Sequence, residues 1–207
     1  MLPSRIGMLA ILLPALALSS GCPPSPNDEL STVADFTLRD QEGRQVARAD
    51  LLGKVWVASF VFSRCTTMCP QVCATLAELQ QSIDPKSDVK LVSFTVDPDH
   101  DTPEVLRKFA ARFGADSARW LFLTGPQDKV YDLISKSFLL GVQQNEGTAH
   151  TPGNEVTHSS RLVLVDRRGC IHEHDYFDGR KVDDQGKAID ELPRLRARLA
   201  ELIREKP

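Results

Sequence analysis

Two almost continuous runs of apolar residues restrict the fold of this chain more than any other feature of its sequence. The runs extend from Val55 to Phe62 and from Val89 to Val96, and both are rich in β-branched and aromatic side chains. Such runs are typical of strands that are buried on both faces of a sheet. Because both faces must then be covered, the sequence predicts helices on either side of the sheet and therefore an α/β fold.

The rest of the chain supplies the helices and further strands that this fold requires. Apolar residues recur at helical spacing in the segments 72–83, 106–113, 130–138 and 192–202, and Trp120 to Leu123 reads as a third strand. A turn at 40–43 predicts a β-hairpin ahead of the sheet, and a turn at 166–169 predicts a closing hairpin formed by Arg161–Val165 and Cys170–Tyr176. The polar, glycine-containing segment 141–157 is predicted to be an inserted loop before that closing hairpin.

The N-terminal residues have the pattern of an export signal. Arg5 precedes an apolar run from Ile6 to Leu18, which is short for a membrane-spanning helix, the alternative interpretation, and is interrupted by Pro14. The Leu-Ser-Ser-Gly-Cys segment that ends at Cys22 resembles a bacterial lipoprotein box. We therefore predict a signal peptide over 1–21, a lipidated tether over 22–32 that is rich in proline, and one domain over 33–207. The expected location is the bacterial cell envelope, with the lipid in a membrane and the domain in the periplasm.

The charge balance argues against a nucleic-acid partner. The 207 residues include 25 lysines and arginines and 28 aspartates and glutamates, a formal net charge of −3. A protein that binds a phosphate backbone needs an excess of positive charge, which this chain lacks.

Three of the five cysteines, Cys65, Cys69 and Cys73, lie within nine residues directly after the first buried run. In open α/β sheets ligands usually bind at the carboxyl ends of strands, beside a helix N-terminus that stabilises thiolates. Four residues of helix advance about 6 Å, so Cys65 and Cys69 could form a disulfide or jointly hold Cu(I) or zinc, with a purely stabilising disulfide as the structural alternative. His158, just before a predicted strand, is the histidine best placed to complete a metal site, and a hydrogen-bonded loop histidine is the alternative.

Other chemically notable residues have simpler expected roles. Cys73 is predicted to face the core, with a resolving thiol or an approach to the metal as alternatives. Cys170 is predicted to be buried and unpaired. His172 and His174 could bind a second metal ion or could lie on an exposed edge strand.

Three motifs in order resemble those of the Sco/SenC family. They are Cys-x-x-x-Cys-Pro at 65–70, Thr-Val-Asp-Pro-Asp-His-Asp-Thr-Pro at 95–103 and Thr-His-Ser at 157–159, and the resemblance extends over residues 33–203. The family comprises membrane-tethered, thioredoxin-like copper-binding proteins that help to assemble the copper centre of cytochrome c oxidase. The resemblance therefore implies a thioredoxin-like fold and a metallochaperone rather than an enzyme. It also implies an apo-cytochrome c oxidase subunit or another periplasmic copper protein as the partner.

The same resemblance assigns individual residues. It implies that Cys65 and Cys69 are the copper thiolates and a redox pair able to form a disulfide, and that His158 is the imidazole ligand. Asp97 would belong to an acidic loop beside the site. Asp97, Asp99 and Asp101 lack the glycine and the distal glutamate of a calcium loop, so we expect a solvated loop leading into the helix capped by Thr102 and Pro103.

The sequence departs from the family pattern in two places, and two other functions use the same cysteines. Thr66 stands where the family commonly has proline, and Cys73 is a cysteine that the family usually lacks. A thiol-disulfide oxidoreductase would use Cys65 and Cys69 as attacking and resolving thiols, although thioredoxin-type enzymes usually have two intervening residues. A thiol peroxidase is suggested by Thr66 and Cys69, which echo the Thr-x-x-Cys of peroxiredoxins, but Phe62 replaces that family's proline.

Overall fold

A mixed five-stranded sheet forms the centre of the protein. The computed structural model describes residues 31–147, 151–172, 175–178, 180–182, 185 and 188–205. The strands of the sheet are β4 (Trp56–Val61), β5 (Lys90–Thr95), β6 (Trp120–Leu123), β9 (Leu162–Val165) and β11 (Tyr176–Phe177), in the order β11-β9-β4-β5-β6. β4, β5 and β6 run parallel, whereas β9 is antiparallel to β4. The two apolar runs therefore form neighbouring central strands, as predicted.

In the described part of the chain, four helices cover both faces of this sheet. They are α1 (Met68–Ser82), α2 (Pro103–Ala111), α3 (Gln127–Ser137) and α4 (Leu192–Arg204). On one face Phe60 and Phe94 stack on each other, and both contact Phe138 at the end of α3. On the other face Phe122 packs against Phe109 of α2. This arrangement confirms the α/β class and the thioredoxin-like architecture.

The second face contains one buried polar network in addition to its apolar packing. The Oγ atoms of Ser59 and Ser93 lie 2.7 Å apart, and Trp120 donates its indole N–H to Ser93 at 2.9 Å. Each buried polar atom of this network has a partner, which avoids the desolvation cost of an unpaired group. α1 and α4 lie on this face in contact with each other, joined by an ion pair between Arg196 and Glu78 at 3.0 Å.

Short strands of the described residues form four smaller sheets around the central one. β2 (Thr37–Arg39) and β3 (Gln45–Ala47) make the predicted N-terminal hairpin, in which Gly43 has a φ of 77° and donates to the Asp40 carbonyl. The other pairs are β1 (Ser31–Thr32) with β10 (Cys170–Ile171), β7 (Val142–Gln144) with β8 (Val156–His158), and β12 (Arg180–Val182) with β13 (Ala188–Asp190).

Two sequence expectations about this periphery are corrected. The segment 170–176 is not one strand of a closing hairpin, because β10 pairs with β1 and only β11 pairs with β9. Ser31 and Thr32, which the sequence assigns to the tether, are therefore part of the folded unit. The segment 141–157 is not only a loop, because β7 and β8 make it a hairpin that ends at His158.

The N-terminal expectations lie outside the described residues. These are the signal peptide over 1–21, lipidation of Cys22 and most of the tether over 22–32. Among the residues that the structure describes, none of the helices has the length and hydrophobicity needed to cross a membrane.

Leu139 provides a test of local backbone strain. Its φ of 52° lies in the left-handed region, and its side chain is 67% exposed. Leucine in this conformation costs about 1–2 kcal/mol, whereas asparagine tolerates it. We expect Leu139→Asn to raise the melting temperature by about 2–4 °C, measured by calorimetry. Leu52→Asn is the matched control, since Leu52 is also exposed but has a φ of −62° and should show no gain.

Candidate metal centre

The parallel strands bring the predicted site residues to one edge of the sheet. β4 ends at Val61, and the loop that follows carries Cys65, while Cys69 lies in the first turn of α1. β5 ends at the same edge and is followed by Asp97. β8 ends at His158, four residues before the start of β9 at Leu162. The carboxyl edge of the sheet therefore collects the residues of all three motifs.

The sulfur of Cys69 lies at the centre of this group. Its distance to Nε2 of His158 is 3.6 Å, and the backbone N–H of Phe62 points to the same sulfur at 3.5 Å. The backbone N–H of Cys69 in turn donates to the sulfur of Cys65 at 3.4 Å. Two sulfurs and one imidazole nitrogen thus come together from a loop, a helix and a hairpin.

The imidazole of His158 is held in one orientation from two sides. Nδ1 lies 2.9 Å from the carbonyl oxygen of Ser159, and the Phe62 ring packs edge-on against the imidazole at 5.5 Å between centroids. A carbonyl accepts only from a protonated Nδ1, which leaves the lone pair on Nε2. That lone pair faces the cysteines, which is the tautomer a metal site requires.

The two cysteines have opposite pKa shifts. A hydrogen bond from Cys69 lowers the pKa of Cys65 far below its ordinary value, with contributions from His158 and from the N–H of Cys69 that outweigh burial. The same interaction with Cys65, together with burial, raises the pKa of Cys69. At neutral pH the pair therefore holds one thiolate, on Cys65, and one thiol, on Cys69.

The thiolate of Cys65 also caps helix α1. The side chain of Thr67, which precedes α1, makes no capping hydrogen bond, while the sulfur of Cys65 accepts the N–H of Cys69 within the first turn. A negative charge is stabilised at a helix N-terminus because the first amides there lack partners. Cys65 thus satisfies part of the helix end, and the helix end helps to keep Cys65 ionised.

The two remaining described cysteines, Cys73 and Cys170, do not belong to the candidate metal centre. Cys73 is fully buried in the core, as expected, and burial raises its pKa to about 12. Cys65, Cys69 and Cys73 are free thiols, so formation of a disulfide between the first two stays a prediction. Cys170 is buried, as expected, but the expectation that it has no partner is wrong.

The structure tests the possible second metal site at His172 and His174 only in part. His172 lies 3.5 Å from Oδ2 of Asp166, a contact that explains its position without a metal ion. His174 lies outside the described residues.

The aspartates after β5 are not a solvated loop, contrary to expectation. Asp97 and Asp101 are buried, and only Asp99 is exposed. Asp101 accepts from Thr95 Oγ1 at 2.5 Å, from the N–H of Ser63 at 3.1 Å, and from the Ser63 hydroxyl. These bonds fasten the cysteine loop to the loop after β5. The predicted cap is confirmed, since Thr102 accepts from the N–H of Val105 at the start of α2.

Donor atoms of Asp97, His100 and Asp101 also lie within 4.8 Å of one another. Both carboxylates already accept hydrogen bonds from the protein. Asp97 accepts from the Arg64 guanidinium, and Asp101 accepts from Ser63 and Thr95. This group is therefore accounted for by its internal hydrogen bonds.

Two residues of the site were not anticipated from the sequence. Arg64, directly before Cys65, lies 2.6 Å from Asp97 and 3.5 Å from Glu155, which precedes His158 by three residues. The sequence does place one arginine and two acidic residues, Arg64, Asp97 and Glu155, in or next to the three motifs. This pattern alone does not predict that they form ion pairs, because charged loop residues are usually solvated.

The chain belongs to the SCO1/SenC family. The family profile matches residues 24–195. A Bacillus subtilis protein named as an SCO1 homologue is 37% identical over 141 residues, which are 67% of this chain and 70% of that protein.

Solved structures of the same family share the fold. A SCO1/SenC family lipoprotein from Bacillus anthracis superposes with a TM-score of 0.72 at 29% identity, covering 86% of this chain and 98% of that one. BsSco, described with a disulfide switch and as one of the Sco family of cytochrome c oxidase assembly proteins, gives 0.69 at 29% identity, covering 87% and 98%. Yeast Sco1 with copper bound gives 0.63 at 25% identity, covering 86% and 91%.

The pKa difference between the cysteines predicts selective alkylation. The pKa of Cys65 is lowered, so its thiolate persists as the pH falls, and we expect its reaction rate with iodoacetamide to stay nearly constant from pH 9 to about pH 6. Cys69 and Cys73 are fully buried and protonated, so they should react only after denaturation. Peptide mass mapping measures both. A Cys65 rate that falls about tenfold per pH unit below pH 8.5 would contradict the lowered pKa.

Proposed function

We propose that this protein is a membrane-tethered copper metallochaperone in which Cys65, Cys69 and His158 bind the metal ion. The observation that carries the proposal is the approach of His158 Nε2 to within 3.6 Å of the Cys69 sulfur, beside the Cys65 thiolate. The donor atoms are two soft sulfurs and one imidazole nitrogen, a set suited to Cu(I). The copper-bound yeast Sco1, which has the same fold, supports this choice of metal.

The copper ion is cargo in this function. Binding needs the thiolate that Cys65 already provides, and it displaces the proton that Cys69 carries at neutral pH. The site lies at the end of a loop and the start of a helix, and Cys65 is the more exposed of its two cysteines, with 8% of the residue accessible. A partner can therefore reach the metal from the side of Cys65 while Cys69 still holds it.

Copper binding is expected to depend on the redox state of the two cysteines. Oxidation joins the two sulfurs, releases the one proton that Cys69 carries, passes two electrons to a disulfide or to two Cu(II) ions, and removes both sulfur ligands. Cys65 and Cys69 are free and their side chains are hydrogen-bonded to each other, so little movement is needed for the bond to form. The disulfide switch named for BsSco supports such gating.

The proposed partner is an apo-copper protein of the periplasm, with a subunit of cytochrome c oxidase as the leading candidate. The support is family membership together with the description of BsSco as one of the cytochrome c oxidase assembly proteins. The proposed location follows from the sequence, with a signal peptide over 1–21 and a lipid on Cys22. The Bacillus anthracis relative is described as a lipoprotein, which supports that anchor.

A thiol-disulfide oxidoreductase is the second candidate. The ionised, slightly exposed Cys65 and the protonated, buried Cys69 match the roles of attacking and resolving thiols. Such an exchange does not use an imidazole aimed at the resolving sulfur, and for this reason we favour copper binding. A peroxidase mechanism based on Cys69 is disfavoured, because that thiol is fully buried and its pKa is raised.

Replacement of His158 separates the two candidates. We expect His158→Ala to weaken Cu(I) binding by more than about tenfold, since removal of a direct ligand exceeds the usual effect of an outer partner. Disulfide formation between Cys65 and Cys69 should persist. Competition for Cu(I) against a chelator and a disulfide-reduction assay measure the two properties in the reduced wild type and the variants.

His172→Ala is the matched control, because His172, like His158, is a half-buried histidine, but it contacts the carboxylate of Asp166 and lies outside the site. Wild-type protein should bind about one Cu(I) per chain only when reduced. Unchanged copper affinity in His158→Ala, with strong reductase turnover that disappears in Cys65→Ser, would instead assign the oxidoreductase function.

The proposed lipid on Cys22 has a direct test. We expect Cys22→Ser to release the protein from the membrane fraction or to leave an unprocessed precursor, while the fold and copper binding stay intact. Mass spectrometry of the mature N-terminus measures the modification. Because lipidation consumes the sulfur as a thioether, an unmodified Cys22 would contradict it.

A further inference from the structure

Arg64 connects three segments that meet at the candidate metal centre. Its Nε and Nη2 atoms donate to Oδ2 of Asp97 at 2.9 and 2.6 Å, and its Nη1 lies 3.5 Å from Oε1 of Glu155. Arg64 itself belongs to the cysteine loop, Asp97 follows β5, and Glu155 precedes β8. One guanidinium therefore joins the segment of Cys65 to the hairpin of His158.

Burial of the Glu155 carboxylate in this position is energetically unfavourable. The Glu155 side chain is only 8% exposed, Oε1 accepts the N–H of Gly153 at 3.1 Å, and Oε2 has no hydrogen-bond partner among the described residues. A buried carboxylate with an unsatisfied oxygen costs free energy that a glutamine or an apolar residue would avoid. Stability of the fold alone does not account for this residue.

The hairpin of β7 and β8 also rests directly on the cysteine loop. Gly153 has a φ of 87°, and a Cβ atom added there would lie 2.5 Å from Oγ1 of Thr66. Thr66 adjoins Cys65, so the tip of the hairpin packs against the metal-binding loop without room for a side chain. The contact between hairpin and loop thus includes close packing at Gly153 and the ion pair of Arg64 with Glu155.

The two charged partners flank the metal-ligand residues in sequence. Arg64 directly precedes Cys65, and Glu155 lies three residues before His158. The contacts with Asp97 fix the plane of the guanidinium, so its remaining nitrogen points to Glu155 in one direction. Without Arg64, the carboxylates of Asp97 and Glu155 would face each other without a counter-charge, which favours separation of the hairpin from the loop.

We propose that Arg64, acting through Glu155, is a positioning residue that holds His158 against Cys65 and Cys69. This inference rests on the proposed copper-binding function. It identifies the interaction that sets the distance between the cysteine sulfurs and the His158 imidazole. Arg64 and Glu155 do not touch the metal in this arrangement. They affect copper binding by fixing the position of the hairpin that carries His158.

A simpler role for Arg64 would be its positive charge close to the Cys65 thiolate. The two roles differ in their dependence on His158. A positioning effect disappears when His158 is absent, because there is no imidazole left to place. An effect of charge on the thiolate persists without His158, so a double-mutant cycle separates the two.

The experiment measures Cu(I) affinity by chelator competition in the reduced full-length protein, together with the melting temperature of the metal-free form. Arg64→Met and Glu155→Gln are made in the wild type and in His158→Ala. Glu155→Gln retains the shape of the side chain and carries the test if Arg64→Met fails to fold. Arg44→Met is the matched control, because Arg44 contacts the buried Asp40 at 2.8 Å and Ser117, ahead of β6 at the opposite edge of the sheet.

We expect Arg64→Met and Glu155→Gln each to weaken Cu(I) binding by about 10-fold or more, within the range seen for outer partners of metal ligands. In the His158→Ala background each should change the affinity by less than about threefold, and Arg44→Met should lower only the melting temperature. Equal losses with and without His158, or unchanged affinity in both variants, would overturn the positioning role. Absence of copper binding in the wild type, or of any effect of His158→Ala, would count against the proposed function instead.

Discussion

The parallel pairing of β4 with β5 is the constraint on which the rest of the molecule depends. All six residues of β4 are buried, and its register aligns Val61 with Thr95 at the last position of both strands. Consequently the two loops that follow these strands leave the sheet side by side. Ser63 and Arg64 from one loop then reach Asp101 and Asp97 from the other, and Cys65 is fixed at the helix N-terminus. The sheet thus determines which chemically active groups can meet.

The sequence predicts the elements whose signals are local. The strands of the central sheet, the helices and the first hairpin follow from periodicity and turn residues, and the cysteines and His158 follow from motifs. The pairing of β10 with β1 is different, because the two strands lie about 140 positions apart in the sequence and each is only two residues long. Such short strands have no pattern of their own, so only the folded chain determines their partners.

The polar contacts around the site were harder to predict for a similar reason. The resemblance placed Asp97 in an acidic loop beside the metal, but a run of three aspartates separated by single residues normally lies in solvent. Asp97 and Asp101 are instead buried, because Arg64, Ser63 and Thr95 supply their hydrogen bonds. A buried charge needs a partner on another element, and that pairing depends on tertiary packing. Glu155 follows the same rule, since its charge is compensated by an arginine 91 positions earlier in the chain.

In the proposed function, the unequal burial of the two sulfurs gives an order to metal transfer. Cys69 is fully buried between the Phe62 amide and His158, whereas Cys65 is slightly exposed and is ionised. An incoming copper ion or partner thiol would therefore meet Cys65 before Cys69, and Cys69 would bind after it loses its proton. Departure follows the reverse order, in which the contact with Cys65 is the one a partner can exchange directly. The same asymmetry serves disulfide exchange, so the placement of His158, rather than the cysteines themselves, separates a metal carrier from a redox enzyme on this fold.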